Sequence, residues 1–351
     1  MKLASLLAVL TLTLSPLGAL AATLAPVRAY VKPGEPVNVQ FLQPAEGKAD
    51  EVTKTTAAIG LEAVKLPGLF AAAPLADVVK ADGEAQFTLY TMEGKALEAK
   101  KVKLDAGGTV DLLGFFPQLA DAGTYVLAWK DAQPLVIEVL RPAIPWGPVK
   151  NDYVPAEVKR QIEPTINQLK NSPPIVTHIV PLSYALITTE KGDIKASFDY
   201  ADAPNTVDNF VSLAKQGYYT STNFHRIIKG FMIQGGDSLG NTADRAGSGG
   251  PGFNQAAELS SRQHVRGVLS MARTGLDVNT AGGQFFIVHG KAEFLDGAYT
   301  VFGQVIDGLP IVDKLAETPV ADANGTVSGH KPTINSITIL PATLEQYGIK
   351  K

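Results

Sequence analysis

The sequence predicts a mainly β protein in two β-rich parts. Three observations carry this. Short runs rich in β-branched and aromatic residues recur along the chain, punctuated by Gly and Pro turn signals. Helical periodicity is confined to a few short stretches that do not alternate with strands as in βαβ units. A proline-rich middle, from RPAIPWGPVK to NSPPIV, disfavours regular structure and divides the two parts.

Residues 1–21, MKLASLLAVLTLTLSPLGALA, carry Lys2, an apolar run and the small-x-small triplet Ala19-Leu20-Ala21. This pattern marks a cleavable export signal. Ser15, Pro16 and Gly18 interrupt the run, although an uncleaved anchor is the alternative reading. No later segment approaches the roughly 18 uninterrupted apolar residues of a spanning helix. The expectation is a mature protein without a membrane span, exported to a periplasm or secreted.

Residues 22–142 contain the strand-like runs VRAYVK, PVNVQFL, AQFTLY, ALEAKKVKL, TVDLLGFF, AGTYVLAW and PLVIEVL. Turn signals stand between them at Pro33-Gly34, Asp82-Gly83, Glu93-Gly94 and Gly107-Gly108. That spacing fits a β-sandwich. Residues 143–180 form the expected linker, with a short helix over Pro155–Leu169 that Pro164 must kink. From 181 to 341 the pattern gives two strands around Lys191-Gly192, then a helix over Thr206–Lys215 that stops at Gly217. The strands GVLSMA, GQFFIVHG and YTVFGQV follow, then a helix over Leu309–Ala316 and the last strand INSITIL. Residues 342–351 read as a short polar tail.

The chain has 351 residues, 45% of them hydrophobic and 19% charged, with a formal net charge of -3. This describes a globular protein with no electrostatic pull toward nucleic acid or an anionic membrane. Without cysteine there is no disulfide, no thiolate metal site and no cysteine nucleophile. His178, His264, His289 and His330 are scattered without metal-ligand spacing. GSGGPG, residues 247–252, lacks the Lys-Ser or Lys-Thr of a phosphate loop, and its use as a flexible loop beside a groove fits better. No GxSxG elbow is present. The expectation is no cofactor and no metal.

One stretch stands apart: FHRIIKGFMIQGGD, residues 224–237. Arg226 lies among Phe224, Ile227, Ile228, Phe231, Met232 and Ile233, and arginine is almost never fully buried without a partner. Either its head turns to water, or it sits at the rim of an apolar pocket and acts on what binds there.

The segment APNTVDNFVSLAKQGYYTSTNFHRIIKGFMIQGGD, residues 203–237, resembles the cyclophilin family of peptidyl-prolyl isomerases. The resemblance continues through GVLSMA, GGQFFI and FLDGAYTVFGQV to the closing strand. It implies a closed antiparallel β-barrel capped by two helices, with a substrate groove on its outer face. It implies that Arg226 is the catalytic arginine and Gln234 a polar groove position, which puts Gln234 where it can hold Arg226 or the substrate carbonyl in place. Phe231, Met232, Phe286 and Leu295 would hold the proline ring, and Gln284 would be a polar groove position. Ala272 and Arg273 would line the groove along a strand, with His225, Phe294 and Tyr299 completing the substrate-binding set. The alternatives are that the apolar members are ordinary core and that His225 is structural. Lys229, Phe294, Tyr299 and Arg273 depart from the residues most common in the family; Phe294 and Tyr299 resemble bacterial-type members. Separately, DAGTYVL, residues 121–127, resembles the tyrosine corner of immunoglobulin-like domains, in which a Tyr hydroxyl ties back to the upstream chain. The alternative is a strand whose Tyr is ordinary core.

The implied activity needs no nucleophile, metal or net proton transfer, because peptide-bond rotation breaks no bond. A fixed donor that interacts better with the twisted amide than with the planar one suffices. The function expected is prolyl isomerisation assisting the folding of exported proteins, with unfolded or flexible proline-containing chains as partners. The alternative is a cyclophilin-fold binding or scaffold protein whose N-terminal part does the main work. The sequence names no partner for that part.

Overall fold

The computed structural model describes residues 23–44, 70–71, 84–103, 109–129, 132–141, 171–242, 245–275 and 277–350. The expected export signal over 1–21 and the expected helix over Pro155–Leu169 lie outside these residues.

The N-terminal part is built from strands β1 (Thr23–Pro26), β2 (Tyr30–Val31), β3 (Asn38–Pro44), β4 (Phe70–Ala71), β5 (Glu84–Thr91), β6 (Ala96–Lys103), β7 (Thr109–Asp111), β8 (Gly123–Ala128), β9 (Leu135–Leu140) and β10 (Val176–Pro181). Strand β3 pairs with β1, β4 and β7 in one sheet; the other runs β2-β10-β9-β8-β5-β6. Leu24, Val39 and Val110 from the first sheet share a buried cluster with Phe87, Leu89, Leu127, Ile137 and Ile179 from the second. Two sheets facing across one apolar layer give the sandwich-like arrangement that the turn spacing predicts. The Tyr125 hydroxyl donates to the Gln118 carbonyl at 2.9 Å, so the tie back to the upstream chain is present.

The six-stranded sheet is buried on both faces. Along β8 and β9, Leu127 and Ile137 point into the sandwich, while Val126 and Val136 join a second core that belongs to the C-terminal part. Period-two alternation between two apolar environments explains why PLVIEVL is almost continuously apolar.

The C-terminal part comprises β11 (Ser183–Thr189), β12 (Gly192–Phe198), α1 (Pro204–Lys215), β13 (Thr222–Ile228), β14 (Met232–Gly235), β15 (Val268–Met271), β16 (Phe285–Val288), β17 (Val301–Asp307), α2 (Leu309–Ala316) and β18 (Thr333–Pro341). The strands close into an antiparallel barrel in the order β11-β12-β17-β15-β16-β14-β13-β18. Ala185, Ile187, Ile194, Phe224, Ile233, Leu269, Phe285 and Ile287 fill its interior. Helix α1 adds Val207, Phe210 and Leu213 to this core, and α2 adds Val312 and Leu315. Among the described residues no helix is long and apolar enough to cross a membrane.

Two boundaries differ from the sequence reading. Val176–Pro181, expected in the linker, is strand β10 and pairs with β9 along its whole length. Prolines at both ends hid it, yet the residue before a proline is itself biased to extended backbone. The chain then passes to β11 through Leu182 alone. The expected polar tail is instead packed on the barrel. Leu344 and Ile349 are buried in the barrel core, and the Tyr347 hydroxyl donates to the Ser183 carbonyl at 2.5 Å and accepts from Phe198 N at 2.9 Å.

Candidate active site

A second apolar cluster lies on the outside of the barrel. Strand alternation puts Ile233, Leu269 and Ile287 inside, which turns Met232, Val268 and Phe286 outward. Val288, Leu295 and Val301 complete this layer, with Phe231, Ala272 and Tyr299 packed at its edge. A notch of about 80 Å³ opens there, lined by Arg226, Phe231, Met232, Gln234, Ala272, Arg273, Phe286, Leu295 and Tyr299.

Strands β13 and β14 place the arginine. Their turn uses Gly230 at φ +83, a left-handed conformation that glycine adopts freely. Arg226 pairs with Gln234, but a register shift between Phe224 and Arg226 inserts one extra residue, His225. Such a bulge re-aims the side chains beyond it. Phe224 and Ile227 both reach the barrel interior, while half-buried Arg226 faces the notch.

The guanidinium is held in place. Arg226 Nε donates to the Asn324 carbonyl at 2.8 Å, and NH1 donates to Gln234 Oε1 at 3.3 Å. Gln234 Nε2 donates to Gln284 Oε1 at 3.0 Å, and Gln284 Nε2 donates to the Gly247 and Gly249 carbonyls at 3.0 and 2.7 Å. Two of the arginine's five N–H donors are thus engaged. Partial burial lowers its pKa from the ordinary value, opposed by Tyr299 and Asp322. A guanidinium remains a cation throughout the physiological range.

The opposite wall is equally fixed. Arg273 Nε donates to the Ala298 carbonyl at 3.0 Å, and its head lies 4.3 Å above the Tyr299 ring. The Tyr299 ring meets Phe286 edge-on at 5.9 Å. Beneath Phe286 lies His264, fully buried, its ring stacked at 6.0 Å. Its Nδ1 is 3.0 Å from Asp296 Oδ1 and its Nε2 3.0 Å from Ser270 Oγ, which donates to the Thr300 carbonyl. Burial lowers the pKa of His264.

Most of the expected residues therefore meet at one notch. Gln284 lies just beside it, lining a neighbouring depression of about 650 Å³ with Gln234, Ala272, Arg273 and the 247–254 loop. Ala272 and Arg273 follow β15 rather than lying within it. Phe294 is 71% exposed and outside the notch lining; its ring stands 5.1 Å from Phe231 at the rim. His225 is buried and outside the notch lining; its Nε2 lies toward Gly247 of the neighbouring loop, and burial lowers its pKa. Sequence reasoning missed the Asn324 carbonyl and the Ser270–His264–Asp296 support, because only the folded chain brings them to the site.

Comparison with known proteins agrees with this geometry. Residues 184–343 match the family described as cyclophilin type peptidyl-prolyl cis-trans isomerase/CLD. A peptidyl-prolyl cis-trans isomerase of Synechococcus elongatus is 47% identical over 126 residues, covering 36% of this chain and 82% of that protein. One from Helicobacter pylori is 42% identical over 145 residues, covering 40% of this chain and 85% of that protein. A cyclophilin-type isomerase of Cryptosporidium parvum, crystallised in the presence of the dipeptide ala-pro, is 34% identical, with 45% of this chain and 98% of that chain covered and a TM-score of 0.41. With most of each bacterial relative's length matched at more than 40% identity and an arginine seated at an apolar notch on a closed barrel, the chain belongs to the cyclophilin-type peptidyl-prolyl cis-trans isomerases.

Proposed function

We propose that this isomerase acts on X–Pro bonds of unfolded or flexible exported polypeptides, with Arg226 as its catalytic residue and Gln234 as the residue that positions it. Rotation about a peptide bond faces a barrier of about 18–20 kcal/mol from the partial double bond. An uncatalysed X–Pro switch takes on the order of tens to hundreds of seconds. In the twisted state conjugation is lost and the prolyl nitrogen regains a localised lone pair. A donor aimed at that nitrogen interacts with the twisted amide more strongly than with the planar one, which is differential stabilisation. The notch floor of Met232, Phe286 and Leu295 suits the apolar pyrrolidine ring, and Arg226 stands at the edge of that floor. An apolar surround strengthens the arginine's field, and its fixed bonds to Asn324 and Gln234 reduce reorganisation during the reaction.

The single observation that carries this reading is a tethered guanidinium at an apolar notch, with donors left unpaired among the described residues. The test is turnover of a proline-containing peptide by the full chain. Arg226→Ala should lower kcat/KM by about one to two decades, the scale of a charge-assisted hydrogen bond of about 1.5–3 kcal/mol. Wild-type turnover from a folded variant would remove Arg226 from the mechanism.

Export rests on the sequence: Lys2, the apolar run and Ala19-Leu20-Ala21 support cleavage after Ala21 and a periplasmic or secreted location. N-terminal sequencing of the mature chain from fractionated cells tests it. A cytoplasmic, uncleaved product would overturn it.

A further inference from the structure

Away from the notch, three cross-strand neighbours line up on the six-stranded sheet. Tyr30 on β2 stands opposite His178 on β10, and His178 stands opposite Glu138 on β9. Glu138 lies two residues beyond Val136, so it shares the face of the sheet that packs on the barrel. Asp208, on α1 of the barrel, approaches from the other side. His178 Nδ1 is 2.6 Å from Glu138 Oε2 and 3.1 Å from Asp208 Oδ2. The ring of Tyr30 stacks on that of His178 at 4.3 Å, and its side chain hydrogen-bonds to Asp208.

The cluster is short of positive charge and of donors. Two carboxyl groups converge on one imidazole nitrogen, which carries at most one proton. Glu138 is fully buried, and its second oxygen, Oε1, has no hydrogen-bond partner among the described residues. Among those residues no lysine or arginine pairs with Glu138 or Asp208. Glu258, itself bonded to Asn205 and Thr206 at the start of α1, adds a further negative field. A buried carboxyl with an empty lone pair and no cation calls for a partner.

We propose that Glu138, His178 and Asp208 bind a divalent transition-metal ion of the zinc class, which staples the N-terminal sheet to helix α1 of the barrel. The three ligand atoms already lie within 4.8 Å of one another. Ligands bound at about 2.0–2.2 Å in a tetrahedral shell stand roughly 3.3 Å apart. The Asp208 contact meets that spacing, and the Glu138 contact needs to open by less than an ångström. One imidazole with two carboxylates favours zinc and its first-row neighbours over magnesium or calcium, which prefer all-oxygen shells. Two carboxylates and one neutral imidazole balance a dication. Asp208 also lines a cleft of about 220 Å³ with Val180, Ser183, Val211 and Lys215, which gives an ion and a fourth, water ligand a way in. In a chain without cysteine, such an ion supplies a cross-link that a disulfide cannot.

The test uses the full mature chain stripped with a chelator and then titrated with zinc chloride by calorimetry, with metal content measured after dialysis. The expected result is one tightly held zinc per chain and a higher melting temperature. Asp208→Asn, on the helix surface, and His178→Ala should each weaken zinc binding by at least 10–100-fold, since loss of even an outer-shell partner costs that much. Isomerase turnover, which depends on the remote notch, reports that each variant is folded. No stoichiometric zinc in the wild-type chain overturns the proposal, as does undiminished binding in both folded variants. Magnesium or calcium binding in place of zinc overturns the metal class.

Discussion

Arg226 and the histidines around it show how single side chains divide the work. An Arg226→Lys variant keeps the charge but not the fork that reaches Asn324 and Gln234 together. It should therefore lose most of the turnover lost by Arg226→Ala, with little change in melting temperature; kcat/KM alongside calorimetry checks this. His264 contributes differently. It does not line the notch itself but braces Phe286 from behind, held by Asp296 and Ser270. His264→Ala leaves a cavity and removes the ring's contacts with Asp296 and Ser270, a loss of about 2–4 kcal/mol in denaturant unfolding. The same histidines set a pH dependence. His225 and His264 have folded pKa values below the ordinary 6.5, because burial penalises their charged forms. The unfolded chain then binds more protons as pH falls through about 6.5, so stability is full above that value and declines below it. Buried Glu138 and Asp208, whose pKa values burial raises, act in the opposite sense, so the histidine share is read as the difference in pH slope between the wild-type chain and His225→Phe, measured by unfolding between pH 7 and pH 5.

At the scale of elements, the groove is a product of strand alternation plus one bulge. The β13–β14 hairpin was not drawn from the sequence, although Arg226 was conspicuous among the apolar residues that form it. The bulge at His225 was not legible, since a bulge is defined by its partners: Gln234 on one side and the 325–327 segment on the other. Helix α2 matched its expected bounds because its periodicity begins at a clear Gly-Leu-Pro start. Strand β10 escaped notice because its flanking prolines look like linker composition when the pairing partner is unknown. The Glu138–His178–Asp208 cluster was invisible for the same reason, its members being joined by sheet register and not by spacing. The loop over 247–249 makes a further prediction. A Cβ at Gly249 would overlap the Asp237 carboxylate, whose oxygens accept from Gly247 N and Leu239 N. Gly249→Ala should displace the loop, cost about 1–3 kcal/mol and loosen the carbonyl anchor of Gln284. Turnover should fall by less than in Arg226→Ala; unchanged stability would mean that the loop yields freely.

Across the whole molecule, the two β-rich parts are not beads on a string. Tyr90, Val126, Ala128 and Val136 from the six-stranded sheet are buried in the same cluster as the barrel interior. Val136→Ala, far from the notch, should lower the stability of the barrel by about 1–3 kcal/mol. Hydrogen exchange along β11 and β12 reads this; an effect confined to the sandwich would show that the parts open independently. The junction at Leu182 carries the argument further. Its backbone N donates to Pro134, its carbonyl accepts from Gln133 Nε2 and Ala342 N, and its side chain is fully buried. A linkage this short and this thoroughly bonded leaves no pivot. A polypeptide gripped by the N-terminal sheets would meet the groove at one fixed bearing, and a pull on those sheets would load the barrel directly, so both parts should rupture in a single mechanical event.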